Sequence, residues 1–288
     1  MVCSNVPAQF PLKLVSRRML APTVAHLAFT RDDGLPLDYV PGQFLQVHFT
    51  YGDGTATRRS YSLATIHDHA LGPGDLVEIA VSYVPGGAAT ALFESLEIGG
   101  TVRASGPFGR FCLQPGDDNR RYLLVGTGTG VTPYRAMLPL LETAMAGRGI
   151  EVVLLFGART PEELLYGDEF RAFAEAHPGF RFVPCFSREL PEPGSVQDHP
   201  DVRHGYVQQF LGELAPSADG DIAYLCGNPD KPRMRPRAAT GTTGTGTDHL
   251  RLWDISKTQE NQDLSGANVK LLVMFNEGFD PSLTATGL

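Results

Sequence analysis

Cysteine, tryptophan and net positive charge are all scarce in this chain. Its 288 residues hold one tryptophan and four cysteines, Cys3, Cys112, Cys185 and Cys226, and no two of the cysteines form a C-x-x-C pair. A zinc knuckle or a plant-type iron–sulfur cluster needs closely spaced thiolates, so neither is expected. The spacing does not read as a disulfide framework either; these are thiols of a reducing compartment. Lys and Arg number 24 against 32 Asp and Glu, a formal charge of −8. General nucleic-acid binding draws its affinity from phosphate neutralisation by cations, and so acidic a chain is poorly suited to it. The N-terminal MVCSNVPAQFPLKL has no sustained apolar run of the kind a signal peptide needs, and no later stretch is long and apolar enough to cross a bilayer. A cytoplasmic protein is expected.

What is present is the composition of a globular protein, with 42% hydrophobic and 19% charged residues. The length suits two domains. Up to about residue 105 the chain is a series of short β-like runs, Phe10 to Val15, Thr23 to Thr30, Phe44 to Phe49, Ser60 to Ala64 and Val77 to Val84, divided by Gly, Pro and Asp. One helix is expected there, Ala88 to Leu96. Many strands with a single helix predict an antiparallel β-barrel over residues 1–115. After the polar linker Gln114-Pro115-Gly116-Asp117-Asp118-Asn119, buried strands (Tyr122 to Val125, Val152 to Phe156, Phe180 to Phe186, Ile222 to Cys226) alternate with helices (Pro133 to Ala146, Asp168 to His177, Val207 to Leu214). That alternation predicts a parallel-sheet α/β domain over residues 120–230. Residues 231–288 differ again. Lys231 to Thr247 is a cationic segment followed by almost only Thr and Gly, with little to bury, so the tail is expected to be disordered and to lack a closing helix and strand, although the apolar run Val269 to Phe275 could add a strand to the open sheet edge in an unspecified register.

Four local patterns carry chemistry. In Arg59-Ser60-Tyr61-Ser62, followed by Leu63-Ala64, strand geometry turns Arg59 and Tyr61 to one face and Ser60 and Ser62 to the other. An arginine fork clamps a pyrophosphate, and a tyrosine offers a flat face to a planar ring. Taken alone the segment is equally well an exposed strand. Pro85-Gly86-Gly87-Ala88-Ala89-Thr90 opens the one helix of the first half, and free N–H groups at a helix start hold anions. A capped helix after a turn is the plainer reading. Gly126-Thr127-Gly128-Thr129-Gly130-Val131-Thr132-Pro133 lies between a buried strand and a helix, where doubly wound sheets bind nucleotides, although Val131 replaces the third glycine of the strict dinucleotide fingerprint. Cys226-Gly227-Asn228-Pro229 ends a parallel strand, at the edge where ligands lie.

In this order, together with Pro41-Gly42-Gln43-Phe44, Gly106-Pro107-Phe108-Gly109 and Phe156-Gly157-Ala158-Arg159, the patterns resemble the ferredoxin–NADP reductase superfamily, in particular the bacterial ferredoxin (flavodoxin)–NADP reductases, over residues 8 to 230. The resemblance implies an FAD-binding antiparallel barrel followed by an NADP-binding α/β domain. It implies FAD contacts from Arg59, Ser60, Tyr61, Ser62, Leu63, Gly86, Gly87, Ala88 and Thr90, with Arg59 on the pyrophosphate, Tyr61 on the isoalloxazine ring and Ser62 near its N5. The Gly128, Thr129, Gly130 and Thr132 turn would take the NADP(H) pyrophosphate, and Cys226 would stand beside the nicotinamide. Ser62 and Cys226 are thus the expected catalytic residues, and no general acid or base is needed for the hydride step.

Ser187-Arg188-Glu189 is similar to the triplet that reads the 2′-phosphate in the bacterial enzymes, and Arg159 matches a second arginine of that pocket; Tyr206 stands where a third is expected. NADPH is therefore expected over NADH. The resemblance implies ferredoxin or flavodoxin as the acidic electron carrier, with Lys13, Arg17, Arg18 and Arg58 as the basic residues to meet it. The missing iron–sulfur motif and globin segment argue against a multi-centre oxygenase reductase or a flavohaemoglobin. A monomer is expected; a free flavin reductase and an electron-transfer subunit of a larger complex are the alternatives. Past Cys226-Gly227-Asn228-Pro229 the family pattern is lost, since Asp230 is followed by Lys231-Pro232-Arg233.

Overall fold

A computed structural model of the chain describes residues 8–67, 69–114, 116–195, 197–217, 220–227 and 270–275. Two compact units divide it. The first is residues 1–114 with 132–140, and the second is the remainder.

The first unit is a six-stranded antiparallel sheet in the order β4-β3-β6-β1-β2-β5. Its strands are β1 (Gln9–Ala21), β2 (Val24–Arg31), β3 (Phe44–Thr50), β4 (Ala56–Ser62), β5 (Val77–Ser82) and β6 (Thr101–Phe108), and α1 (Ala88–Ser95) follows β5. Period-two alternation places the core: on β1, Phe10, Leu12 and Leu14 are buried while Gln9, Lys13 and Val15 face out. The end strands meet where Leu63 bridges Ile79 and the Ala64 N–H donates to the Glu78 carbonyl at 2.7 Å. That junction brings the two end strands together at one end of the sheet, as the expected barrel requires. Strand β6 is absent from the sequence reading. Its TVRASGPF carries Arg, Ser, Gly and Pro and shows little apolar period, but it pairs with β3 on one side and β1 on the other.

The second unit is a parallel sheet of β7 (Arg121–Thr127), β8 (Glu151–Ala158), β9 (Phe180–Phe186), β10 (Arg203–His204), β11 (Asp221–Gly227) and β12 (Lys270–Phe275), in the order β10-β9-β8-β7-β11-β12. Strands β7, β8, β9 and β11 are near-continuous apolar runs, as strands covered on both faces must be. Between them in the chain come α2 (Thr132–Arg148), of which residues 132–140 count with the first unit, α3 (Gly167–Ala176) and the short α4 (Val207–Leu211). The sheet grows from β7 through β8 and β9 in one direction, then resumes on the opposite side of β7 with β11. The strand order therefore reverses at β7, and the crevice beyond the C-terminal ends of β7 and β11 is the ligand position of such sheets.

Strand β12 corrects the expectation that residues after 231 form no closing strand and are poorly defined, and it falls in the run Val269 to Phe275 that the sequence left able to add an edge strand without fixing its register. Lys270–Phe275 pairs in parallel with β11, Ile222 opposite Lys270 through Gly227 opposite Phe275. The physical reason is that KLLVMF is an apolar run and β11 would otherwise present unpaired N–H and C=O groups. The basic segment Lys231 to Thr247 lies outside the described residues, as do Asn228 and Pro229. Among the described residues no helix is long and apolar enough to cross a membrane.

Candidate functional site

In the first unit, β4 pairs with β3 so that Arg59 faces Val47 and Tyr61 faces Leu45, while Arg58, Ser60 and Ser62 share the other side with His48, Gln46 and Phe44. Arg59 is held in place before any ligand is considered. Its Nη1 donates to Thr57 Oγ1 at 3.2 Å and to the Arg58 carbonyl at 2.9 Å, its Nη2 donates to the Tyr51 hydroxyl at 2.7 Å, and its guanidinium lies 6.0 Å from the Phe49 ring centroid. The half-buried fork is thus preorganised, and among the described residues Nε has no protein acceptor. A guanidinium held in this way has the charge and donors to clamp a phosphate. Tyr61 is half-buried, its ring edge-on to Phe93 at 5.5 Å and 86°. Ser62 is buried at the strand end. Leu63 is wholly buried and its N–H donates to the Gln43 carbonyl, so its side chain belongs to the core and only its backbone borders the strand end.

The glycine-rich start of α1 has a specific local cause. Gly86 adopts φ 74° with open space around it, and Gly87 is the N-cap with no side-chain cap. Thr90 Oγ1 accepts the Val84 N–H at 2.8 Å, which locks the turn. The α1 N–H groups at Ala88 and Ala89 are consequently not capped by a side chain, as an anion-binding helix start requires.

In the second unit, β7 runs into a 3-10 turn, Gly128–Val131, and then into α2 with a proline in its first turn. Gly128 takes φ 55° with nothing within 4 Å of where a Cβ would lie. Gly130 is the reverse case, because a Cβ there would fall 2.2 Å from the Cys226 carbonyl oxygen. A Cβ on Gly227 would fall 2.4 Å from Thr127 Oγ1. Gly130 therefore lies directly against the backbone of Cys226, and Gly227 against the Thr127 side chain. The Thr132 hydroxyl is buried at the start of α2 with no hydrogen-bond partner, an orphan polar atom beside the helix N-terminus. A dinucleotide pyrophosphate would satisfy it. Burial pushes the Cys226 thiol well above its ordinary value, so the group is neutral at pH 7.

Arg159 and Arg188 also converge. Ser187 N–H donates to the Ala158 carbonyl, and the N–H groups of Arg188 and Glu189 donate to the Arg159 carbonyl at 3.0 and 3.2 Å. Both arginines thus stand at the C-terminal ends of adjacent strands, β8 and β9. They are not equivalent: Arg159 is paired with Glu163, Nε to Oε2 at 2.7 Å, whereas Arg188 is exposed. Tyr206, in the third position, caps α4, its N–H donating to Gln209 Oε1 at 2.9 Å.

The expected basic docking residues separate. Arg17 donates to the carbonyls of Phe93 and Leu96 at 2.5 Å, so it caps the C-terminus of α1 and is not available as a docking cation. Lys13 lies 4.0 Å from Asp32. Arg58 is exposed and in register with His48, which in turn is in register with Arg103. Arg58 and Arg103 thus place two cations on either side of His48 across β4, β3 and β6. His48 is accordingly held below its ordinary pKa, by burial first and then by Arg58 and Arg103. His48 and Arg103 were not legible as a pair with Arg58, because only register aligns them.

Residues 11–112 match the family described as oxidoreductase FAD-binding domain, and residues 124–235 match the oxidoreductase NAD-binding domain. Ferredoxin–NADP reductase B of Sorangium cellulosum is 34% identical over 249 residues, 84% of this chain and 96% of that protein. The chain belongs to the ferredoxin–NADP reductase family. As a member it is an oxidoreductase with FAD and NAD(P)(H) as cofactors. The crystal structure of a ferredoxin NADP+ reductase from Neisseria gonorrhoeae with bound FAD and NADP has the same fold, with a TM-score of 0.68 over 93% of this chain and 98% of that one, at 19% identity. The reductase subunit of an aromatic O-demethylase from Amycolatopsis is 37% identical over 67% of this chain and 54% of that protein. The chain spans about half the length of that subunit and of the propane 2-monooxygenase reductase components it also matches.

Proposed function

We propose that this family member takes electrons from NADPH and delivers them singly to an acidic protein carrier, a ferredoxin or flavodoxin, working as a monomer. Bound FAD would supply the chemistry that joins a two-electron nicotinamide donor to a one-electron acceptor. The protein's part is alignment. Arg59 holds the flavin pyrophosphate together with the start of α1 at Gly86, Gly87, Ala88 and Thr90, and Ser60 and the Leu63 backbone border it. Tyr61 presents its ring to the isoalloxazine, and Ser62 places a hydroxyl near N5. Gly128, Thr129, Gly130 and Thr132 take the dinucleotide pyrophosphate, Cys226 lies beside the nicotinamide as a neutral thiol, and Ser187, Arg188 and Arg159 read the 2′-phosphate.

The observation that carries the nucleotide choice is the backbone ladder that sets Arg159 and Arg188 at neighbouring strand ends. The ferredoxin reductase reading of the acceptor leans on the whole-length likeness to the Sorangium protein. A second reading, the reductase component of an oxygenase, is favoured by the 37% identity to the Amycolatopsis subunit. Anaerobic NADPH-driven reduction of a purified ferredoxin, compared with reduction of free FMN and with size-exclusion mass, tests the proposal. Reduction of free flavin alone, or an obligate complex, would displace it.

A further inference from the structure

Inside the first unit a charged network is buried that the reading above leaves unused. Arg135, in the first turn of α2, is 8% exposed and donates through Nη1 to the Ala64 carbonyl at 2.6 Å and to Glu78 Oε2 at 2.8 Å. The other Glu78 oxygen, Oε1, lies 3.1 Å from His26 Nε2, and His26 is 4% exposed. Burial alone would raise the Glu78 carboxyl, but the hydrogen bonds from His26 and Arg135 and their charges outweigh it and hold it below its ordinary value. The carboxylate is therefore ionised and paired.

The target of this network is a short piece of backbone. Ala64 donates its N–H to the Glu78 carbonyl at 2.7 Å, and the Glu78 N–H donates to Thr65 Oγ1 at 2.8 Å. The Thr65 hydroxyl donates to the Leu76 carbonyl at 3.2 Å, and the Thr65 carbonyl accepts from the Tyr39 hydroxyl at 2.6 Å. Leu63, Ala64 and Thr65 are thus held from several sides directly after Ser62. A buried ion pair is a poor way to gain stability, because well-packed apolar side chains do as well or better. It does set one geometry, since the planar fork of an arginine meets its carbonyl and carboxylate acceptors in a fixed arrangement.

We infer that Arg135 is a positioning residue for the flavin: by fixing the Ala64 carbonyl and the Glu78 carboxylate it sets the backbone that continues the Arg59–Ser62 strand, and with it the position of the Ser62 hydroxyl. The inference rests on the reading that this strand contacts FAD. Arg135 acts through the Ala64 carbonyl and the Glu78 carboxylate.

Two variants test it without stranding a buried charge. Arg135→Met combined with Glu78→Met removes both charges at similar volume, and Arg135→Lys keeps the charge but not the fork. For the double variant the FAD dissociation constant rises about tenfold, and flavin reduction at saturating NADPH slows about tenfold while the NADPH KM stays within about twofold. Arg135→Lys shifts both quantities in the same direction by about threefold. If the double variant does not fold, Arg135→Lys alone decides. Folded variants with wild-type FAD affinity and reduction rate overturn the inference, as does a lowered melting temperature with both quantities unchanged. Arg59→Ala runs alongside: if it too leaves FAD affinity unaltered, the reading of the flavin strand has failed, whereas loss of affinity in Arg59→Ala alone isolates the failure to Arg135.

Discussion

Gly130 lies against the carbonyl of Cys226 so closely that an added methyl group would sit 2.2 Å from that oxygen. Neither the turn nor the end of β11 has room to yield without moving backbone. Gly130→Ala is therefore expected to cost about 1–3 kcal/mol of stability through overpacking and to weaken NADP+ binding about tenfold. FAD binding should be unaltered, because the proposed flavin residues are on β4 and α1. Isothermal titration with NADP+ and a melting curve check this; wild-type NADP+ affinity in a folded variant would remove the turn from the nucleotide site.

Arg59 is preorganised by Thr57, Tyr51 and the Arg58 carbonyl, so its clamp on a pyrophosphate is made with little loss of side-chain freedom. Its replacement by Ala should cost about 1.5–3 kcal/mol, a tenfold to hundredfold rise in the FAD dissociation constant. Titration of the apoprotein with FAD, followed by flavin fluorescence, measures it.

Glu163 already occupies the Arg159 guanidinium, which leaves the exposed Arg188 as the freer cation for a 2′-phosphate. The ratio of kcat/KM for NADPH to that for NADH should fall about tenfold in Arg188→Ala and less in Arg159→Ala. Equal losses with both nucleotides would show that Arg188 does not read the phosphate.

Glu78 gives a pH dependence with a definite sign. Its carboxyl is lower in the folded protein than its ordinary value of 4.5, so the unfolded chain binds the proton more readily. The stability contributed is fully present above 4.5 and is lost as pH falls through the lower, folded value. In urea melts across that acid range, wild-type stability should fall more steeply than that of Glu78→Gln. Parallel pH profiles would mean that the carboxyl is not held low.

How much of this was legible beforehand differs from residue to residue. Strand β9 matches its expected bounds, Phe180 to Phe186, because a run apolar but for Arg181, set between turn residues, has one easy reading. The Arg59–Ser62 strand and the Gly128–Pro133 turn were likewise visible, since side-chain alternation and glycine-rich strand-to-helix turns are local properties. Strand β6 was not, because Gly106 and Pro107 interrupt its pattern and its neighbours β3 and β1 supply the pairing. The register of β12 beside β11 was equally hidden, the 42 residues of chain between them carrying no register information.

The sequence by itself determined the kinds of element, their order and the local chemistry of each motif, since these depend on neighbours two to four positions away. Only the tertiary structure decided which distant side chains share a site. Arg135 and Glu78 are 57 residues apart, and Arg58, His48 and Arg103 align across three strands through register alone. Arg17, by sequence a surface cation, became the cap of α1 at 76 to 79 residues' separation. The physical reason is that a buried polar group must find a partner wherever the fold brings one, and strand order and register, which no local pattern encodes, fix where that is.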